Sequence, residues 1–143
     1  MKVDDETARN NINKWYRKLI GIAWNHQEKH KAIVKKIRFA EQLFIKIDNT
    51  YSKYQVQGDT RYFNAYFLLL EQYIRFAQEK QQETAWINKN LDYLHPDNIE
   101  KYKNRLDKAN LWHLRYRLQL SLGLKKPAIR SIQQAIHLSL IHI

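Results

Sequence analysis

IVKKIRFAEQLFIKIDNTYSKY, residues 33–54, carries Ile33, Ile37, Ala40, Phe44, Ile47, Tyr51 and Tyr54 in alternating steps of four and three. At 3.6 residues per turn such steps line one stripe of a helix, whereas a strand would alternate at every second residue. The stretch reads as one long amphipathic helix. Upstream, Ile12, Trp15, Leu19 and Ile22 repeat the same spacing in a first helix that begins near Ala8 and ends between residues 24 and 27. No obligatory breaker lies between Gly21 and Lys29, so one bent rod is open to the chain. A tight hairpin that buries the two stripes against each other is preferred.

Composition points the same way. In 143 residues only three Gly and two Pro interrupt the chain, which favours long helices over a sheet with its many Gly- and Pro-rich turns. Hydrophobic residues make up 44% and aromatics 13%, enough apolar surface to offset the entropy of ordering. A folded all-α protein is expected. There is no cysteine, which excludes disulfides, thiolate metal sites and cysteine nucleophiles. Neither the opening MKVDDETARNN nor any later stretch resembles a secretory leader or a membrane span, so no membrane association and a cytoplasmic location are expected. The net charge of +11 creates a field that attracts acidic surfaces or phosphate.

Downstream, QVQGDT breaks the pattern at Gly58, with Asp59 or Thr60 suited to cap the next helix. Residues 60–80 carry two adjacent apolar stripes, Phe63, Phe67, Leu70, Ile74 and Ala77 beside Tyr62, Tyr66, Leu69, Tyr73 and Phe76. So wide a face calls for neighbours on two sides. A shorter helix at 83–93 stops before His95-Pro96. A further helix is expected from Asp97 to Leu122, with Ile99, Tyr102, Leu106, Ala109, His113, Tyr116 and Leu120 on one stripe and Leu111, Leu114, Leu118 and Leu122 on another. Gly123 closes it, and Pro127 suits the first turn of a last helix with Ala128, Ile132, Ala135 and Ile136 on its apolar face. The expectation is a single domain over 1–137, about six helices in helix-turn-helix order.

Leu111–His137, LWHLRYRLQLSLGLKKPAIRSIQQAIH, resembles one tetratricopeptide repeat, a helical hairpin of about 34 residues that stacks into a solenoid. Trp112, the turn glycine Gly123, and the small-large-small set Ala128, Ile132 and Ala135 carry the match. Arg115, Tyr116 and Gln119 depart from the family's usual apolar, small and aromatic residues. The resemblance implies antiparallel hairpins stacked as a short solenoid and a scaffold or adaptor role without catalysis. In such arrays the final helix is buried only when another unit or a capping helix stacks on it, so Ile129, Ile132 and Ile136 would lack cover. The closing Leu138–Ile143, LSLIHI, also matches the translation of CTG TCT CTT ATA CAC ATC. That DNA resembles the end sequence attached in transposase-based library preparation, and the match implies a non-native tail on a C-terminally truncated fragment.

Two basic stripes stand out. Lys31, Lys35 and Arg38 share a face opposite Ile33 and Ile37, while Lys101, Arg105, Lys108, Trp112 and Arg115 set an aromatic among cations at helical spacing. The first reading is a protein-interaction module that takes a peptide or an acidic protein surface, with Lys101, Arg105, Lys108 and Arg115 as its cations and Tyr62, Tyr66 and Tyr73 as apolar contacts. The alternative is a nucleic-acid-binding domain that uses Lys31, Lys35 and Arg38 with Trp112 as a stacking ring. A third is the helical appendage of an enzyme whose catalytic part lies elsewhere. His26 and His30 stand four apart, but the string is HQEKH rather than the HExxH of zinc enzymes and no third ligand is nearby. No metal, cofactor or catalytic residue is expected.

Overall fold

The computed structural model describes residues 4–23, 29–54, 60–78 and 84–140. Among them every regular element is a helix: α1 (Asp5–Ala23), α2 (Lys29–Tyr54), α3 (Arg61–Gln78), α4 (Thr84–Lys89), a 3-10 turn (Asn90–Leu94), α5 (Pro96–Ile99), α6 (Arg105–Ser121) and α7 (Lys125–Leu140). The all-α expectation holds. None of these helices is long and apolar enough to cross a membrane. The chain divides into two compact units, Met1–Tyr73 and Ile74–Ile143, with the boundary inside α3.

In the first unit α1 begins after Asp4, whose carboxylate accepts the Thr7 N–H at 2.7 Å. This occupies one of the backbone donors that a helix start leaves unpaired. The Lys46 ammonium lies 6.0 Å from the Trp15 ring centroid. An unbroken rod would hold those residues about 46 Å apart, so α1 and α2 form a hairpin. The α2 stripe faces inward as its spacing requires, with Ile33, Ile37, Ala40, Phe44 and Ile47 buried against Ala8, Ile12 and Leu19 of the same unit's core. The hinge itself, with Trp24, His26 and Glu28, lies outside the described residues, as do Gly58 and Asp59.

Phe44 anchors α3. Its ring stacks on Tyr66 at 4.9 Å and meets Phe63 and Phe67 edge-on at 4.8 and 5.8 Å. Each such ring contributes roughly 1.5–3 kcal/mol through burial alone, with further gain from offset and edge-to-face geometry. The Tyr62 ring joins this cluster while its hydroxyl donates to the Asp48 carboxylate at 2.9 Å. Helix α3 starts after Thr60, whose carbonyl accepts the Phe63 N–H at 3.0 Å.

In the second unit the expected helix over 97–122 is two helices. Asn104 adopts extended backbone, and its side-chain oxygen accepts the N–H groups of Leu106 and Asp107 at 2.8 and 3.2 Å. That cap starts α6 afresh and leaves 100–104 as a connection. Before it, the His95 ring nitrogen accepts the Asp97 N–H at 3.1 Å and Pro96 opens α5. Within α6 the buried stripe is Leu111, Leu114 and Leu118 with Ala109, whereas Leu106, His113 and Leu120 face solvent. Both stripes have helical spacing, and the packing of α6 on α7 and on the 3-10 turn decides between them. His113 is therefore a surface residue, its ring 5.9 Å from that of Tyr116, and not a core histidine.

The α6–α7 turn depends on Gly123, at φ +79°. The Leu124 N–H reaches back to the Gln119 carbonyl at 2.8 Å and the Gly123 N–H to that of Leu120 at 3.0 Å, the paired closure of a Schellman motif. Across the hairpin the α7 seam is made of small residues, Ala128, Ser131 and Ala135, all buried. The Ser131 hydroxyl donates to the buried Gln119 side-chain oxygen at 2.6 Å. Gln119, which departs from the tetratricopeptide pattern, thus has a partner of its own. Ile132 is half-buried, while Ile129 and Ile136 are exposed.

Two stability measurements follow from this packing. Ser131→Ala leaves the Gln119 amide oxygen buried without its donor and should cost about 1–3 kcal/mol in urea unfolding. Gln119→Leu combined with Ser131→Ala should cost less than the two single changes added together, because no polar group is then stranded. The capping hydrogen bonds from Thr7 hold the Asp4 carboxyl below the usual carboxylate range, opposed only weakly by burial. A depressed folded pKa means stability that is complete above the ordinary carboxylate range and lost as pH falls through the folded value. Asp4→Asn should remove that part of the acid dependence while keeping the cap, as read from unfolding midpoints across an acid pH series.

Candidate functional site

The expected cations of the second unit do not form one stripe. Lys101 lies beyond α5, in the connection ahead of α6, and its ammonium donates to the Asn98 side-chain oxygen at 3.3 Å. Lys108 pairs with Glu100 at 3.4 Å, and Arg105 is half-buried with interactions of its own. Arg115 turns inward instead: its guanidinium donates to the Leu94 carbonyl at 2.9 Å, tying α6 to the end of the 3-10 turn. Burial pulls its pKa below the ordinary arginine value, with the Asp92 charge acting in the opposite direction. Arg115 thus serves the fold. Trp112 is half-buried with its indole N–H shut away from any partner, which does not suit an open stacking platform.

The tyrosines expected on a binding surface are inside. Tyr62 is 1% exposed, Tyr66 0% and Tyr73 7%. A tyrosine can bury its ring while its hydroxyl finds a polar partner, as Tyr62 does with Asp48. Tyr62 and Tyr66 pack on Phe44 in the core of the first unit, and none of the three offers its ring to a partner. Lys31 lies in α2, but its side chain is outside what the structure describes; Lys35 and Arg38 are exposed on the same helix. His26 and His30 fall outside the described side chains, and among the described residues no cluster of three or more His, Cys, Asp or Glu could hold a metal.

What the second unit does present is an aliphatic ridge on α7. Ile129 is 54% exposed and Ile136 51%, one helical stripe with the half-buried Ile132. The ridge stands outside because the small side of α7 faces α6. Lys126, Arg130 and His137 lie beside it, all exposed. No Asp or Glu occurs anywhere in α7, nor at any position after Asp107. Periodicity alone assigned Ile132 and Ile136 to the buried face together with Ala128 and Ala135. The signal that corrects this is size, since residues that let two backbones approach are the small ones. The run of sequence without carboxylates was legible from the start.

Comparisons with protein-family models, with curated proteins and with solved structures find no match.

Removing the Arg115 guanidinium separates its structural role from a role in partner contact. Arg115→Ala should lower stability by about 1–2 kcal/mol, a charge-assisted hydrogen bond discounted for partial solvent screening. Chemical denaturation with no partner present reads this directly, and an unchanged midpoint would return Arg115 to the surface.

Proposed function

We propose that the second unit is a protein-docking module of a cytoplasmic adaptor, and that the α7 ridge takes an amphipathic helix whose apolar stripe is flanked by Asp and Glu. The observation that carries this reading is the stripe of exposed Ile129 and Ile136 with half-buried Ile132, bordered by Lys126 and Arg130 on a helix without any carboxylate. Covering a half-exposed isoleucine is worth roughly 1 kcal/mol, too little across one short stripe to offset the cost of association. Charge must then contribute to choosing the partner. A second copy of α7 would bring cation to cation, whereas an acidic helix satisfies the ridge and its rim together. The resemblance of Leu111–His137 to a tetratricopeptide hairpin, a fold used to hold protein segments, supports the same reading. Helix-on-helix packing through anchors three and four residues apart is the expected mode.

The test is fluorescence anisotropy with the full chain and two labelled synthetic helices that share one leucine stripe, the first flanked by glutamates and the second by lysines. The acidic helix should bind, more weakly as salt rises, and Ile136→Glu should cut its affinity at least tenfold, about 1.4 kcal/mol. Equal binding of the lysine helix, or self-association of the chain that Ile136→Glu abolishes while neither helix binds, would contradict the proposal.

A further inference from the structure

A different surface chemistry occupies α2 in the first unit. Its outward stripe runs Lys35, Phe39, Gln42, Lys46, Asn49 and Lys53, at helical steps of four and three, and every one of these residues is exposed. From Lys35 to Lys53 it extends about 27 Å. Lys36 and Arg38 lie beside it, also exposed. The helix's two carboxylates, Glu41 and Asp48, are seven residues apart and so share one side, away from this stripe. They are half-buried, and Asp48 is engaged by the Tyr62 hydroxyl at 2.9 Å. The outward face of α2 is thus cationic along its described length, with no acid interleaved.

Within it stands Phe39, 47% exposed. The neighbouring α1 adds the half-buried Trp15, whose ring carries the Lys46 ammonium at 6.0 Å, and the exposed Lys14 and Lys18 on either side of Trp15 in sequence. The α7 ridge offers branched aliphatic side chains, which suit an apolar helix. The α2 face offers flat rings among cations and amides, a combination that suits a strand of phosphates with unstacked bases, since any base can stack on an aromatic ring while its phosphate meets a lysine.

We propose that this α1–α2 face binds single-stranded nucleic acid without sequence preference, with Phe39 as the stacking residue and Lys35, Lys46 and Lys53 as phosphate contacts. The site is built from other residues than the α7 ridge and does not depend on the docking function assigned there. It also differs from the nucleic-acid reading of the sequence, which gave the stacking role to Trp112.

The full chain is titrated against fluorescein-labelled oligo(U), oligo(dT) and a duplex of equal length at about 50 mM and about 200 mM salt. Both single strands should bind more tightly than the duplex, with affinity falling steeply as salt rises. Phe39→Ala should weaken binding about tenfold at either salt. Lys35→Gln and Lys46→Gln should each lower the salt slope by about one. Because these side chains are exposed, circular dichroism should be unchanged in all three variants. Ile136→Glu should leave oligonucleotide affinity intact, which keeps this test distinct from that of the docking surface. The proposal is overturned by absence of binding to either single strand at the lower salt, by a duplex that binds as tightly, or by a Phe39→Ala variant that binds as wild type. Displacement of the oligonucleotide by polyglutamate, coupled with indifference to Phe39→Ala, would assign the face to acidic protein surfaces instead.

Discussion

The close approach of α6 and α7 across Ala128, Ser131 and Ala135 governs what the second unit can do. Two helical backbones come near only where side chains are small, and in α7 the small residues lie on one side and the isoleucines on another. Once the small side is taken by α6, Ile129 and Ile136 have nowhere to go but outward. The Ser131–Gln119 hydrogen bond at 2.6 Å fixes the register of that seam, because a slip would strand two buried polar groups. The Gly123 turn, with its left-handed backbone, sets the connection that makes the seam reachable. The exposed ridge is thus a consequence of the packing beneath it.

The first unit solves the complementary problem with large residues. Phe44 gathers four aromatic side chains from the first half of α3 around it. The Tyr62 hydroxyl engages Asp48 at the edge of the same arrangement. Asp48 and Glu41 lie away from the outward stripe of α2 by their positions in the helix, so the cationic face follows from the spacing of the sequence. The outward stripe of α2 thus differs in chemistry from the α7 ridge, Phe39 among lysines and amides in place of branched aliphatic side chains.

Local patterns carried much of this. The Ile33 to Ile47 spacing specified α2 and its buried face, Pro96 and Gly123 marked boundaries where the chain has them, and all-helical content followed from the scarcity of breakers. Asn104, a strong capping residue with an acid three positions later, does not stand out in the sequence because the apolar steps run straight through it. The choice between the two α6 stripes was not legible, since both repeat at the helical period and only contacts with other elements separate them. Tyr62, Tyr66 and Tyr73 flank the central α3 stripe, which suggests a binding surface, yet the area of their rings places them inside. Arg115 looked like one more surface cation because its acceptor, the Leu94 carbonyl, lies 21 residues upstream, beyond any local pattern.

Solvent access along α7 tests the account at its root. The chain has no native cysteine, so single thiols can be placed at will and their alkylation rates compared under native conditions. Ile136→Cys should react as fast as an unhindered thiol, while Ala135→Cys should be protected until denaturant is added. The reverse order, with position 136 shielded and 135 reactive, would show that α7 packs by its isoleucines and that the ridge does not exist.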